Sequence, residues 1–202
     1  MVYEWAGKSP SEELQVFSRL REGVEEEGQQ YVIQLLDHFE HEGPNGAYQC
    51  IVTELLGPNL TSDIEDLYPD ECFPLEIARR FVGQLAMGVN FLHKRGVVHG
   101  DLHSGNLLLF SPHFSAWRTQ EEVEKYLDEP SMVSFRLLDG TPAPYNPHIP
   151  TYAVQAPEPT ALLRLCLDDP ARVHVKICDF SESFVYTAKN PVERKVNSPA
   201  IF

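Results

Sequence analysis

His99-Gly100-Asp101-Leu102-His103-Ser104-Gly105-Asn106, completed far downstream by Asp179-Phe180-Ser181, is the stretch on which the reading of this chain turns. Taken alone, a His-x-Asp triplet is common and describes a turn aspartate beside a buried histidine. Its flanks narrow that reading. Val97-Val98 precede the loop and Leu107-Leu108-Leu109-Phe110 follow it, two apolar runs suited to short buried strands that present a polar loop from a rigid support. The alternating run Val173-His174-Val175-Lys176-Ile177-Cys178 suits a half-buried strand and delivers Asp179 at its end.

Working outward, Pro74 can open a long helix in which Ile77, Phe81, Leu85, Val89 and Leu92 recur every three or four residues until Gly96 stops it. Near the N-terminus, Leu14, Phe17 and Leu20 mark a shorter amphipathic helix over 10–20, with Ser9 or Ser11 as N-cap and acids in its first turn. Two apolar runs, 31–39 and 49–55, flank His41-Glu42-Gly43-Pro44-Asn45-Gly46 and predict two strands joined by a hairpin-like loop. Residues 111–172 differ in texture. An acidic helical stretch at 121–127 leads into a tract holding Pro142, Pro144, Pro147, Pro150, Pro157 and Pro159, which excludes a regular helix or central strand there. We read 111–172 as an insertion wrapped over a core, packed through Phe114, Trp117, Tyr126, Phe135, Tyr145 and Tyr152.

The chain has 202 residues, 43% of them hydrophobic and 23% charged, enough for one domain or two small lobes. No run approaches the roughly 18 apolar residues that cross a bilayer, and no basic segment followed by an apolar core opens the chain; an intracellular protein, in cytoplasm or nucleus, with no membrane partner is expected. The formal charge of −14 opposes direct nucleic-acid binding and favours a basic partner, and solubility alone explains it equally well. The acidic run at 22–27 reads as solvated surface. Cys50, Cys72, Cys166 and Cys178 form neither a CxxC pair nor a zinc pattern, and are expected to be buried free thiols.

Asp101, Asn106 and Asp179 supply a carboxylate that can orient a hydroxyl and take its proton, an amide oxygen, and a second carboxylate. Phosphoryl transfer asks for such a set, because it needs positioning and hard oxygen ligands for magnesium more than covalent chemistry. With these motifs the chain resembles the protein kinase superfamily, and within it SR-protein kinases and their fungal SR-kinase-like relatives. Leu35-Leu36-Asp37-His38-Phe39, Gly43-Pro44-Asn45-Gly46 and Val52-Thr53-Glu54-Leu55-Leu56-Gly57 carry the narrower resemblance, as does the insertion before Asp179.

That resemblance implies an α+β, partial protein-kinase-like fold: residues 1–57 as remnant of the β-rich upper lobe with its hinge, and 58–202 as the first part of the helical lower lobe, ending in the activation segment. It implies ATP and Mg2+ as cofactors and a protein substrate, basic and Arg/Ser-rich. Asp101 falls at the base, Asn106 and Asp179 at the magnesium ligands, Thr53 at the gatekeeper, Glu54 and Leu56 at the adenine-binding hinge, and Leu108 at the floor of the adenine pocket. Glu13 matches the helix glutamate that pairs with a strand lysine. As isolated residues, Thr53, Leu56 and Leu108 read first as core packing, so that their functional reading depends on the loop motifs, and Glu13 reads equally as a surface acid.

Departures from the pattern set further expectations. Gly100 stands where many protein kinases have Arg, which argues against control through a phosphorylated activation loop. His103 stands where a phosphate-contacting Lys is usual, and imidazole is only partly charged at neutral pH. Ser181 replaces Gly. No GxGxxG and no lysine strand precede the first helix, the nearest lysine being Lys8, and Asn197-Ser198-Pro199-Ala200 stands just ahead of the place for an Ala-Pro-Glu motif. A truncated kinase of very low activity is therefore expected, since losing one preorganised donor costs roughly 10²–10³ in rate. Two alternatives stay open: a non-catalytic binding module, and a small-molecule kinase of choline or aminoglycoside type, whose loops share His-Gly-Asp-Leu-His-x-Gly-Asn.

Overall fold

The computed structural model describes residues 11–61, 64–68, 70, 72–127, 131–156 and 158–186. The expectations placed on Ser9, on Lys8 and on 197–200 lie outside these residues.

The first helix, α1 (Glu12–Arg21), starts where Ser11 accepts a hydrogen bond from the Leu14 amide at 3.3 Å, and it buries Leu14, Val16, Phe17 and Leu20. Strands β1 (Leu35–Gly43) and β2 (Gly46–Thr53) pair antiparallel around Pro44 and Asn45. The hairpin is tighter than the composition of 41–46 predicts. Cross-strand bonds extend to the Gly43/Gly46 pair, and the first expected strand loses its opening residues to a 3-10 turn at Gln29–Tyr31. Val32 and Ile33 instead join another part of the fold, described below.

A four-residue turn, α2 (Ile64–Leu67), precedes the long helix α3 (Leu75–Lys94), for which Pro74 occupies the N-cap. Ile77, Phe81, Gly88, Phe91 and Leu92 form its buried stripe, with Leu85 and Val89 packed alongside. Each such apolar side chain contributes about 1.5–3 kcal/mol on leaving water. The helix ends at Gly96, whose φ of +71° turns the chain into β3 (Val97–Val98).

Strands β4 (Leu107–Phe110) and β7 (His174–Ile177) pair antiparallel, with Leu107 opposite Ile177 and Leu108 opposite Lys176. On its free edge β4 takes up the segment after β2: the Gly57 amide donates to the Leu109 carbonyl at 2.8 Å and the Leu60 amide to Leu107 at 3.1 Å. Strand β7 is held on its own free edge by two groups. The Ile33 amide donates to the Ile177 carbonyl at 2.9 Å. The Gln84 side chain donates to Val173 and accepts from the Val175 amide, both at 2.8 Å, completing the pairing from helix α3. β7 is thus buried on both faces, Lys176 included, rather than the half-buried strand expected.

Between β4 and β7 the insertion contains a 3-10 turn (Pro112–Ala116), helix α4 (Gln120–Glu124), an exposed ribbon of β5 (Met132–Ser134) and β6 (Tyr152–Val154), and helix α5 (Thr160–Cys166). Thr119 and Glu122 form a reciprocal capping box on α4. Only part of the insertion packs as its aromatic content predicts. Phe114 is buried and Trp117 stacks on Tyr126 at 5.0–5.4 Å centroid separations within that cluster, whereas Phe135, Tyr145 and Tyr152 are exposed. The ribbon stays in solvent because both strands are exposed on every residue. Helix α5 is the unanticipated element; it follows Pro159, buries Leu163 and Cys166, and sets Cys166 against Gly57. Strand β8 (Phe184–Val185) returns to pair with β3.

All four cysteines are free, but only Cys166 and Cys178 are buried; Cys50 is half-buried and Cys72 exposed, contrary to the uniform burial expected. Most of the run 22–27 is exposed, as its charge predicts. Arg95 nonetheless pins it, with one guanidinium nitrogen 2.9 Å from Glu26 and further bonds to the carbonyls of Glu22 and Val24.

Candidate functional site

The loop 99–106 hangs between β3 and β4, and His99 organises it. One ring nitrogen lies 2.9 Å from the Cys178 carbonyl and the other accepts the Asp101 amide at 3.3 Å, an arrangement that suits the neutral tautomer. Burial lowers the pKa of His99, against the opposing pull of the Cys178 carbonyl and the carboxylates of Asp179 and Asp101. The His99 carbonyl in turn accepts from the Ser183 hydroxyl at 2.7 Å. Phe180 packs on both sides, its ring centre 5.2 Å from His99 and 5.3 Å from Phe17 of α1. A column of three rings therefore joins the loop, the segment after β7 and the first helix.

Gly100 has φ of +85°, and a Cβ there would stand 2.3 Å from the Glu182 carbonyl oxygen. The two loops touch backbone to backbone at this point. Arg, the common residue here in protein kinases, has no room in this arrangement.

Asp101, Asn106 and Asp179 are brought together at the mouth of the β4–β7 pair. The Asn106 side-chain nitrogen donates to the Asp101 carbonyl at 3.0 Å, and its backbone carbonyl accepts the Cys178 amide at 3.0 Å. With the amide nitrogen so engaged, the Asn106 side-chain oxygen carries no hydrogen bond among the described residues. Asp179, at φ +62°, holds the left-handed backbone that few non-glycine residues adopt. Its Oδ1 accepts from the Ser181 hydroxyl at 2.6 Å and from the Ser181 amide at 3.2 Å. Ser181 thus acts on the carboxylate through its hydroxyl, beyond the loss of backbone freedom that its sequence position suggests. His103 turns its Nδ1 to the Gly105 amide at 3.0 Å, with Nε2 3.6 Å from Asp101 Oδ2.

Glu13 of α1 faces this cluster. It is half-buried, and burial and then the Asp179 carboxylate raise its pKa. No group of three or more His, Cys, Asp or Glu gathers among the described residues. A magnesium site on substrate phosphates does not need one, because two protein oxygens, phosphates and water complete its shell.

The residues 53–56 lie at the far side of β4 and β7. Thr53 ends β2 opposite Leu35. The Glu54 amide donates to the Gln34 carbonyl at 3.1 Å, and its carboxylate is turned inward, to the Gln34 amide at 2.9 Å and Lys176 Nζ at 2.6 Å. Leu55 and Leu56 carry no backbone hydrogen bond among the described residues, so the Leu56 amide and carbonyl are available. Leu108 opposes Lys176 and bridges Asn59, which puts it beside this segment. A cavity of about 360 Å³, walled by Phe17, Leu20, Arg21, Glu25, Val32, Leu35 and Phe91 among others, lies elsewhere and includes none of 53–56, 99–108 or 179.

The protein kinase domain family matches residues 5–115, more than half of the chain. The chain belongs to the protein kinase superfamily. Its relatives include protein kinase dsk1 of Schizosaccharomyces pombe, 39% identical over 48% of this chain and 18% of that protein. Serine/threonine-protein kinase SKY1 of Saccharomyces cerevisiae is 37% identical over 41% of this chain and 11% of its own length. Serine/threonine-protein kinase SRPK of Physarum polycephalum is 34% identical over 50% and 24%. The chain therefore spans less than a quarter of the length of each of these relatives. The α+β arrangement agrees with the family, and these relatives agree with the resemblance to SR-protein kinases read from 35–57 and from the insertion before Asp179.

Sequence reasoning missed Gln84, Ser183 and Lys176. Gln84 reads as one polar residue on a helix, and Ser183 as an ordinary loop serine. Lys176 did leave a signal, a lysine alternating with Val175 and Ile177 in the strand that leads to Asp179.

Proposed function

We propose that this chain carries the acceptor- and metal-binding part of a serine/threonine protein kinase site, which transfers the γ-phosphoryl group of ATP to a protein hydroxyl. The observation that carries this reading is the joint placement of Asp101, Asn106 and Asp179 around a neutral, buried His99. Asp101 orients the acceptor hydroxyl and takes its proton as the oxygen attacks phosphorus and the bond to ADP breaks. The free side-chain oxygen of Asn106 and the carboxylate of Asp179 suit Mg2+, which when bound supplies charge neutralisation between the phosphates. The Glu54 carbonyl, the Leu56 backbone and the Leu108 side chain suit adenine, with Thr53 beside them. His103, held by Gly105, takes the place of a phosphate-contacting cation. Glu13 is the partner for a lysine. The net charge of −14 supports a basic, Arg/Ser-rich protein acceptor.

The test is transfer of labelled phosphate from Mg-ATP to an Arg/Ser-repeat peptide by the 202-residue chain, with Asp101→Asn alongside. Magnesium-dependent incorporation that falls at least roughly 10²-fold in the variant is expected. Transfer to choline or an aminoglycoside but not to the peptide would move the protein to the small-molecule kinases. A second reading, nucleotide binding without turnover, is favoured by one observation: burial, and after it the Asp179 carboxylate, hold the Glu13 pKa above its ordinary value. Mg-ATP binding with no transfer to any acceptor supports that reading.

A further inference from the structure

Strand β7 buries a cation for which the roles above have no use. Lys176 is 4% exposed, and its ammonium lies 2.6 Å from the Glu54 carboxylate. The same carboxylate oxygen accepts the Gln34 amide. The lysine Nζ stands 4.9 Å from the centre of the Phe110 ring, a cation on an aromatic face. In register, Lys176 is opposite Leu108, and Asp179 follows it three residues later.

Stability alone is a poor reason for such a pair, because taking two charges out of water consumes most of what their attraction returns, and apolar residues of similar volume often serve as well. Geometry is a better one. Segment 54–56 leaves the end of β2 with the Glu54 amide bonded to the Gln34 carbonyl, and its next backbone bond among the described residues is at Gly57, whose amide reaches β4. Between those points Lys176 ties it directly to the strand that carries Asp179.

We infer that Lys176 is a positioning residue: through Glu54 it sets the separation between the backbone at 54–56 and the carboxylate of Asp179, holding a nucleotide in register at both ends. This rests on the nucleotide-site reading. A ligand that touches one end only is indifferent to that separation. ATP must satisfy both ends at once, and a misplacement of even an ångström is costly to it.

The test compares three probes on the full chain by calorimetric titration: adenosine, Mg-tripolyphosphate and Mg-ATP. Lys176→Met alone leaves the Glu54 carboxylate buried without its cation and endangers folding. The decisive variant is therefore the double substitution Lys176→Met with Glu54→Gln, which leaves no unpaired charge and keeps an oxygen for the Gln34 amide. Relative to the unsubstituted chain, the Mg-ATP affinity is expected to fall about tenfold below what the changes in adenosine and Mg-tripolyphosphate affinity together account for. Unchanged Mg-ATP affinity overturns the inference, as does a parallel loss for all three probes, which marks general destabilisation. If the unsubstituted chain binds none of the probes, the nucleotide reading itself fails and takes the positioning role with it. That failure is distinguishable because it needs no substitution to be seen.

Discussion

Replacing Gly100 by Ala puts one methyl group where the loop carrying Asp101 meets the segment after Asp179. The added Cβ would lie 2.3 Å from the Glu182 carbonyl oxygen and 3.1 Å from its carbon, so the two backbones must part by about 1 Å to restore an ordinary contact. Alanine at a φ of +85° costs about 1–2 kcal/mol by itself. Forcing apart a packed contact adds about 1–3 kcal/mol. The sum, about 2–5 kcal/mol, is a large share of the roughly 5–15 kcal/mol that holds a domain together. For a chain of this size each kcal/mol moves the melting temperature by about 2–4 °C, so a fall of about 4–20 °C is expected in a circular-dichroism melt. Gly83→Ala is the control: its Cβ meets nothing within 4 Å on helix α3, and the gain in helix propensity should raise the melting temperature by about 1–4 °C. A Gly100→Ala protein that melts within about 1 °C of the parent refutes the backbone contact, and with it the account of why Arg is absent at this position.

Three further outcomes follow from the site. Glu13 has a raised pKa in the folded chain, so the stability linked to it is complete below its ordinary 4.5 and is lost as pH rises through the raised value. Glu13→Gln should therefore raise the melting temperature at pH 7, by under about 3 °C because solvent screens a half-exposed group, and the gain should vanish near pH 4; an equal gain at both pH values refutes the cause. Ser181→Ala removes the hydroxyl that lies 2.6 Å from Asp179 Oδ1, and that oxygen, keeping only the longer bond from the residue 181 amide, should bind Mg2+ with ATP up to about fivefold more tightly in a magnesium titration. Weaker binding would mean that the hydroxyl orients the carboxylate for the metal. Burial pushes the Cys166 and Cys178 thiols up to about 12, leaving about 10⁻⁴ of each as thiolate at pH 8. Iodoacetamide should then label exposed Cys72 first and half-buried Cys50 next, sparing the other two until the chain is unfolded, as peptide mass mapping would show.

Asp101, Asn106 and Asp179 were legible in the sequence because their chemistry is packed into short segments with apolar flanks. Helices α1 and α3 were legible for a related reason: the stripe of Ile77, Phe81 and Leu92 repeats over a few turns, within the reach of local periodicity. Hairpin β1–β2 was legible as a pair but not in extent, since cross-strand bonding carried it into residues whose composition suggests a loop. What remained hidden depends on where distant chain segments return. Lys176 meets Glu54 across 122 residues, and Gln84 completes β7 from 89 and 91 residues away. The insertion touches the hairpin turn where His148 meets Asn45, 103 residues apart. Apart from Lys176, each of these side chains by itself looks like solvated surface. Only closure of the long loops between them, with the entropy cost met by the common core, supplies the partner that makes burial of Lys176 or the clamp of Gln84 possible. By itself the sequence determined the family and marked the candidate groups of the site; tertiary structure decided which backbone approaches and buried charges surround them.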